Sequence, residues 1–279
     1  MSSFKHRLVT TLIGVPLLLT VIFLLPQFEH LAFAIVATVF TLLGSKEIYR
    51  IIKLKLKVTP NIPFYFCGLL PISAWVSSVT EFSNLVELTL IFLLIISFTV
   101  EIFAGAKQEK PYEDSIKLIV ADSFSLLYPA YLISFIIKVN DFPQVSALYG
   151  LFFICVFSND IFAYIFGMLF GKSTRGLIKA SPNKSIVGFS GGILSCTAIS
   201  VGTVLLLQLP LTIVESIIIG LALAFSATIG DLIESVIKRS AKVKDSGTLT
   251  PGRGGALDNL DSLITSAPLF YLLLQIFIK

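Results

Sequence analysis

Long apolar runs separated by short polar segments make up most of the chain. A helix needs about 20 apolar residues to cross a bilayer, and nine runs approach that length. They are residues 8–25, 29–45, 62–80, 83–105, 117–138, 146–171, 186–208, 211–230 and 257–278. The pattern predicts an all-α, polytopic integral membrane protein with about nine transmembrane helices.

Composition supports this prediction. Of the 279 residues, 55% are apolar and 14% are charged, and the mean hydropathy is +0.91; soluble domains carry about 25% charged residues. We predict a single membrane-embedded domain over 1–279, with N-terminal helices in 1–116 and the helices that carry the polar motifs in 117–279. The run 8–25 is too long for the apolar core of a signal peptide, so it is interpreted as the first span.

The cationic residues are distributed unevenly between the two sides of the predicted bundle. If the connections alternate between sides, one side holds 19 of the 21 Lys and Arg residues. The connections on that side are 1–7, 46–61, 106–117, 172–185 and 231–256. Because cytoplasmic connections carry the Lys and Arg excess, we expect a multi-pass protein of the cell inner (cytoplasmic) membrane. Its N-terminus and its polar motifs are predicted to be cytoplasmic.

A first polar constellation lies in and after the sixth run. Asp160, Tyr164, Gly167 and Gly171 share one helical face, and Lys172 follows them. The two glycines form a small-xxx-small pair, which allows a second helix to approach closely. A carboxylate at membrane depth is costly, so Asp160 should face protein, water or an ion. The alternative is a structural hydrogen bond to a neighbouring helix.

A basic loop comes next, with Ser181-Pro182 and Lys184 at its centre. A Ser-Pro turn flanked by lysines suits contact with phosphate oxygens. The alternative, equally supported by this segment alone, is a loop made basic only to fix membrane topology.

The second constellation runs from Gly230 to Asp261 and begins on a helix. One face at the cytoplasmic extension of the eighth run carries Asp231, Glu234 or Ser235, and Lys238, and Arg239 and Lys244 follow. This concentration of charge between two apolar runs predicts a polar site at the membrane surface.

A glycine-rich turn ends this constellation and precedes the last run. Arg253, Gly254 and Gly255 lie in a segment whose backbone can approach a ligand closely. Asp258 and Asp261 then sit three residues apart on one helical face. Two carboxylates there can share a hard cation, and Mg²⁺ prefers oxygen ligands together with substrate phosphates. The alternative is a pair of acids that caps a membrane helix.

These residues resemble the phosphatidate cytidylyltransferases, also called CDP-diacylglycerol synthases. The C-terminal signature of that family matches without a gap. The residues in register are Ser235, Ile237, Lys238, Arg239, Lys244, Asp245, Gly247, Thr250, Pro251, Gly254, Gly255, Asp258, Leu260 and Asp261. An earlier family pattern is echoed by residues 160–172, by 181–188 and by the glycine pair at 191–192.

The chain departs from the family pattern at six positions. In the signature, Arg253, Ala256 and Asn259 stand where the family has His, a larger apolar residue and Arg. Upstream, Asn183, Ser185 and Val187 replace Lys, Thr and Glu. Arg253 keeps a cation for phosphate but cannot exchange a proton near neutrality.

The resemblance implies that CTP and phosphatidate react to give CDP-diacylglycerol and pyrophosphate in phospholipid biosynthesis. The implied catalytic residues are Asp231, Asp258, Asp261, Lys238, Arg239 and Lys244. The implied phosphate-binding residues are Lys172, Ser181, Lys184, Ser235, Arg253, Gly254 and Gly255. The implied ligands of Mg²⁺, with a second cation left open, are Asp160, Asp231, Asp258 and Asp261. The implied setting is the lipid bilayer, as a homodimer, with no nucleic acid partner.

Three alternatives remain at this point. Another CTP-dependent lipid enzyme, such as a polyprenol kinase or an archaeal-type lipid cytidylyltransferase, would use the same groups and is separated by its products. A transporter or channel would also contain acids inside the membrane, although the polar groups here gather on one side. The departures from the signature leave open an inactive family member.

Overall fold

A computed structural model describes residues 14–80, 82–106, 112–176, 178–249 and 254–278. Over these residues the regular structure is helical, and Arg175 and Ser185 form an isolated antiparallel β-bridge. The helices are α1 (Gly14–Leu24), α2 (Gln27–Leu56), α3 (Leu69–Thr80), α4 (Leu85–Gly105), α5 (Ser115–Ser125), α6 (Leu132–Ile137), α7 (Val145–Leu169), α8 (Ile186–Leu206), α9 (Ile213–Ser240) and α10 (Leu257–Phe277). A 3₁₀ turn, Phe64–Gly68, leads into α3, and a π-helical segment, Leu126–Tyr131, joins α5 to α6.

Seven described helical segments are long and apolar enough to cross a membrane. They are Gln27–Leu56, Leu85–Ala104, Ser115–Asp141, Val145–Leu169, Ile186–Leu206, Ile213–Ser240 and Leu257–Phe277. Two shorter apolar helical segments are Gly14–Leu24 and Phe64–Thr80. Each of the nine predicted runs overlaps one of these segments, which confirms the all-α polytopic membrane fold.

One predicted boundary, the end of the second run, is wrong by about ten residues. The run 29–45 ends where charged residues begin, but α2 continues to Leu56. Lys, Glu and Arg are good helix formers, and neither Pro nor Gly occurs between Ser45 and Leu56. The polar connection predicted at 46–61 is therefore mostly a helical extension, and Glu47 lies on it.

The chain divides into two compact units. Unit 1 comprises Met1–Lys138 and Ser240–Leu260, and unit 2 comprises Val139–Arg239 and Asp261–Lys279. The division places the loop before α10 in unit 1 and most of α10 in unit 2. The single-domain organisation stays a prediction.

Two buried acids in unit 1 accept hydrogen bonds that join neighbouring segments of that unit. Asp122 is fully buried and accepts a hydrogen bond of 2.6 Å from the Ser97 hydroxyl. Glu101, 3% exposed, accepts hydrogen bonds from the side chains of Asn61 at 2.8 Å and Ser115 at 2.6 Å. These bonds join α4 to α5 and to the segment before α3. Buried polar atoms are normally satisfied in this way, so these acids have a structural role.

In unit 2, small residues bring α7 and α8 into backbone contact. A Cβ atom on Gly188 would lie 2.7 Å from the Ala163 carbonyl oxygen, and one on Gly192 would lie 2.9 Å from that of Asn159. A Cβ atom on Gly167 would lie 3.6 Å from the Gly188 Cα atom. The small-residue pattern on α7 thus marks a close helix contact, as the sequence predicted.

Helices α9 and α10 pack through a similar contact within unit 2. Ser226 and Thr265 exchange hydrogen bonds, each hydroxyl donating to the other residue's carbonyl oxygen at 2.7 and 2.8 Å. A Cβ atom on Gly230 would overlap both the Thr265 hydroxyl and the Asp261 carbonyl oxygen. Because Asp231 directly follows Gly230, this contact places Asp231 beside the α10 turn that carries Asp261.

A pair of glycines on α8 tests the packing account. We expect Gly192→Ala to destabilise the protein by about 1–3 kcal/mol, since its new methyl group meets backbone atoms of α7. A Cβ atom on Gly202 meets nothing within 4 Å, so Gly202→Ala should be neutral or stabilise by about 0.5–1 kcal/mol. Thermal unfolding in detergent measures both, and equal Tm values would contradict the account.

Candidate functional site

Three carboxylates of unit 2 come together from three helices. Asp160 lies on α7, Asp231 on α9 and Asp261 on α10, and we call this group the carboxylate cluster. Asp261 is subject to the repulsion of both other carboxylates, and Asp160 to that of Asp231. The Asp160 side chain is exposed, and the other two are half-buried. A carboxylate that keeps accessible surface within a spanning helix is expected to face water, an ion or a ligand.

Hydrogen bonds link the cluster across α7 and α10. The Ser262 hydroxyl donates to Asp160 Oδ2 at 3.3 Å, and the Asn159 amide lies 3.4 Å from Asp160 Oδ1. The Ser262 N–H donates to Asp261 Oδ1 at 2.6 Å. Asp160 therefore has the structural hydrogen bond considered as an alternative, and the same bond holds it near Asp261.

The basic loop before α8 brings a cation to the cluster. Lys184 Nζ forms an ion pair with Asp231 Oδ2. The loop turns at Ser181, whose carbonyl oxygen accepts the Lys184 N–H at 3.1 Å. Ser185 then caps α8, its hydroxyl accepting the Gly188 N–H at 3.0 Å. A turn and a helix cap in succession thus direct Lys184 to Asp231.

A second ion pair lies further along α9. Lys238 Nζ is 2.5 Å from Glu234 Oε2, and the Glu234 side chain is fully buried. The Glu234 charge also acts on Asp261. Glu234 is not among the predicted site residues, although it stands one helical turn before Lys238. Ser235 beside it is half-buried and Arg239 is exposed.

In unit 1, the glycine-rich turn wraps one carboxylate oxygen of Asp258. Asp258 Oδ2 accepts the Ser246 N–H at 2.9 Å, the Ser246 hydroxyl at 2.8 Å and the Gly255 N–H at 2.7 Å. Gly254 has a φ of +98°, and a Cβ atom there would overlap the Asp258 carboxylate. The close backbone approach predicted for this turn is therefore made to Asp258. A phosphate at the Gly255 N–H would have to replace that bond.

Glu47, on α2, contacts the start of α10, and the sequence did not indicate this contact. Its carboxylate accepts the N–H groups of Ala256 and Leu257, each at 2.9 Å, and the Ser246 hydroxyl at 2.7 Å. It thereby caps the first turn of α10. No local pattern could reveal it, since about 200 residues separate the two partners in the chain.

The remaining predicted residues are distributed as follows. Lys172, which begins a 3₁₀ turn shortly after α7, is exposed, as is Lys244, and Ser181 is half-buried. Arg253 lies outside the described residues. The structure brings Asp160, Asp231, Asp261 and Lys184 together in unit 2, and it groups Asp258 with Gly254 and Gly255 in unit 1. The assignment of catalytic, phosphate-binding and metal-binding roles stays a prediction.

The donor set of the cluster suits a hard cation that shares its coordination with a ligand. Among the described residues, no three His, Cys, Asp or Glu side chains are placed to hold a metal ion by themselves. Mg²⁺ is usually bound through one or two carboxylates, with water and substrate phosphates completing its coordination. Carboxylate and hydroxyl oxygens from the cluster and Ser262 fit that chemistry. The magnesium ion itself stays a prediction.

Comparison with known proteins shows which family the chain matches. A family model described as the cytidylyltransferase family matches residues 5–277. The chain is 35% identical over 157 residues to a phosphatidate cytidylyltransferase of Bacillus subtilis, covering 56% of this chain and 58% of that protein. It is 37% identical over 153 residues to one of Aquifex aeolicus (54% and 56%) and 39% identical over 132 residues to one of Synechocystis (47% and 44%). The chain spans about half the length of the curated relatives it matches.

Proposed function

The chain belongs to the cytidylyltransferase family, as its motifs predicted, and we propose that it transfers CMP from CTP to phosphatidate, releasing pyrophosphate. The observation that carries the proposal is the carboxylate cluster of Asp160, Asp231 and Asp261 with Lys184 paired to it. Acidic and basic groups side by side suit a metal–triphosphate ligand. The names of the similar bacterial proteins and the membrane fold support a lipid as the acceptor.

The proposed reaction makes modest demands on the protein. A phosphate oxygen of phosphatidate attacks the α-phosphorus of CTP, a new P–O bond forms, and the bond to the β-phosphate breaks. The attacking oxygen is already anionic, so no strong general base is required. Catalysis then depends on placing the two phosphates in line and on neutralising their charge.

Cations near the cluster would hold the phosphates. Lys184 can exchange its bond to Asp231 for a phosphate oxygen, because its side chain is 23% exposed and its turn fixes the backbone. Lys238 is held by Glu234, which limits its freedom and fixes its position. The further groups proposed to contact phosphate are Lys172, Ser181, Ser235, Arg239, Lys244, Arg253, Gly254 and Gly255.

We assign the divalent cation to the carboxylate cluster. Asp160, Asp231 and Asp261 would hold Mg²⁺, which when bound would neutralise phosphate charge. Asp258, whose Oδ2 accepts three hydrogen bonds, stays proposed as a metal ligand. A second cation is left open.

The proposed setting follows from the lipid substrate. Phosphatidate stays in the bilayer, and the apolar spans of this chain place the protein there. The Lys and Arg distribution supports a cytoplasmic N-terminus and a cytoplasmic site at the inner membrane. The family resemblance supports a homodimer.

Product labelling tests the proposed function. Purified protein is incubated with phosphatidate, Mg²⁺ and CTP labelled at either the α- or the γ-phosphorus. We expect the α-label in the organic-soluble lipid, the γ-label in pyrophosphate, and neither transfer in excess EDTA. A polyprenol kinase would instead move the γ-label to a lipid acceptor and release CDP. Absence of lipid-bound α-label from folded protein supplied with all three reactants would overturn the proposal.

A further inference from the structure

The loop between α9 and α10 closes around a carboxylate from a distant part of unit 1. Glu47, on α2, uses both its oxygens: Oε1 accepts the Ala256 N–H, and Oε2 accepts the Leu257 N–H and the Ser246 hydroxyl. The two N–H groups belong to the start of α10, where the helix leaves donors without partners and its dipole favours an anion. Glu47 therefore satisfies the helix end from outside the loop.

The loop backbone is fitted closely to Glu47. A Cβ atom on either Gly247 or Gly255 would overlap the Glu47 carboxylate oxygens. A side chain at either position would therefore displace the Glu47 carboxylate from its present contacts. Ser246, which precedes Gly247 in the chain, is 1% exposed. On the side of the loop, the contact between Glu47 and Ser246 is therefore buried.

Glu47 and Asp258 are linked through one hydroxyl group. Ser246 Oγ lies 2.7 Å from Glu47 Oε2 and 2.8 Å from Asp258 Oδ2. A hydroxyl has a single proton to donate, so the two carboxylates compete for it and respond to each other's position. Asp258 also accepts the N–H groups of Ser246 and Gly255, the residues that pack on Glu47. The groups that hold Asp258 are the groups that Glu47 fixes.

We infer that Glu47 is a positioning residue for the proposed cytidylyltransferase reaction. It acts from α2 by fixing the loop that presents Asp258 and the glycine pair at the start of α10. The inference rests on the proposed function for its catalytic consequence, and on the contacts in unit 1 for its structural part. Those two parts are tested separately.

The structural part is tested by limited trypsin digestion of the full-length protein without substrates. Lys242 and Lys244 are exposed at the start of the loop. In Glu47→Gln, the side-chain amide turns an N–H₂ group toward N–H or hydroxyl donors that the carboxylate now accepts. Hydrogen bonds to the loop are lost, so the loop should open more often. Cleavage after these lysines should be about 10- to 100-fold faster than in the parent protein. An unchanged cleavage rate would overturn the inference.

Glu101→Gln is the matched control. Glu101 is a buried glutamate of the same unit whose partners, Asn61 and Ser115, lie outside the loop. It should leave cleavage after Lys242 and Lys244 unchanged, even if it lowers Tm as much as Glu47→Gln does. Equal acceleration in both variants would show general loosening of unit 1 and would contradict a specific role for Glu47.

The catalytic part is tested by steady-state kinetics of the same variants. We expect kcat of Glu47→Gln to fall about 10- to 100-fold and KM for CTP to rise as well, since the displaced loop carries Asp258 together with Lys244, Gly254 and Gly255, which are proposed to contact phosphate. The Mg²⁺ concentration at half-maximal rate should rise about tenfold. A simple loss of folded protein would not move that concentration. If trypsin cleaves Glu47→Gln faster than the parent protein but kcat and the Mg²⁺ dependence are unchanged, the positioning role is overturned.

Failure of the proposed function gives a different result. In that case the parent protein forms no CTP-dependent lipid product, and the trypsin experiment still decides whether Glu47 holds the loop. Should Glu47→Gln fail to fold, Ser246→Ala decides instead, because it removes only the shared hydroxyl. We expect faster cleavage and lower kcat in Ser246→Ala than in the parent protein. Parental behaviour of Ser246→Ala would overturn the inference.

Discussion

Replacing Asp261 with Asn is expected to lower kcat for CTP-dependent product formation by about 100-fold or more. The change removes one of three cluster charges while keeping the shape of the side chain. If the cluster holds a cation against phosphates, the loss of a carboxylate weakens the binding of the cation and disturbs the alignment of the phosphates. The assay is the transfer of α-labelled CMP to lipid at saturating CTP and Mg²⁺.

The same substitution should leave the fold intact or stabilise it. Asp261 is repelled by Asp231 and Asp160, and an Asn amide removes that repulsion. The Asn oxygen can still accept the Ser262 N–H. We therefore expect a Tm at or above the parental value together with the loss of activity, as is common where a functional site conflicts with stability.

Glu215→Gln provides the matched control for this prediction. Glu215 lies in the first turn of α9, whereas Asp231 lies near its other end. Its carboxylate accepts the Thr212 N–H at 2.7 Å, a bond that Gln can retain. Parental activity is expected in Glu215→Gln. Parental activity in Asp261→Asn would instead remove Asp261 from the site.

Replacing Lys184 with Met is expected to have the second-largest effect. Lys184 is paired with Asp231, and its turn keeps it at the cluster. Losing a charge-assisted bond to phosphate should cost about 1.5–3 kcal/mol, or roughly 10- to 100-fold in kcat/KM for CTP. Because the pair is partly exposed, the effect on Tm should be small. Steady-state kinetics with varied CTP measure the loss.

Two further variants sharpen this prediction. Lys184→Arg keeps the charge and should retain more activity than Lys184→Met, although its fork-shaped head group does not reproduce an ammonium. Lys179→Met removes an exposed lysine from the same loop and controls for the overall basicity of the loop. If Lys179→Met and Lys184→Met lose kcat/KM for CTP equally, the loss depends only on the net charge of the loop. That result would contradict a specific role for Lys184.

The sequence predicted the helices well because membrane spans are encoded locally. Each span must be apolar along its own length, so hydropathy alone located all nine runs. It misplaced the end of α2, since charged residues end a span without ending a helix. The Lys and Glu residues after Ser45 continue α2 to Leu56, and Glu47 is one of them.

The site was predictable only where its members share a local pattern. Asp160 could be singled out because a carboxylate within an apolar run is costly, and Asp231 and Asp261 because they belong to a dense polar segment between two apolar runs. Their convergence within unit 2 depends on helix packing at positions such as Gly192 and Gly230, which periodicity does not encode. The contact of Glu47 with the loop joins parts of the chain that no local pattern relates.

We propose that the carboxylate cluster binds a divalent cation together with the CTP phosphates. Mn²⁺ prefers the same oxygen ligands as Mg²⁺, and its binding can be followed by electron paramagnetic resonance. We expect CTP to increase the affinity of the parent protein for Mn²⁺, and Asp231→Asn and Asp261→Asn each to weaken that affinity about tenfold or more. Equal Mn²⁺ affinity in the parent protein and both variants would contradict the claim.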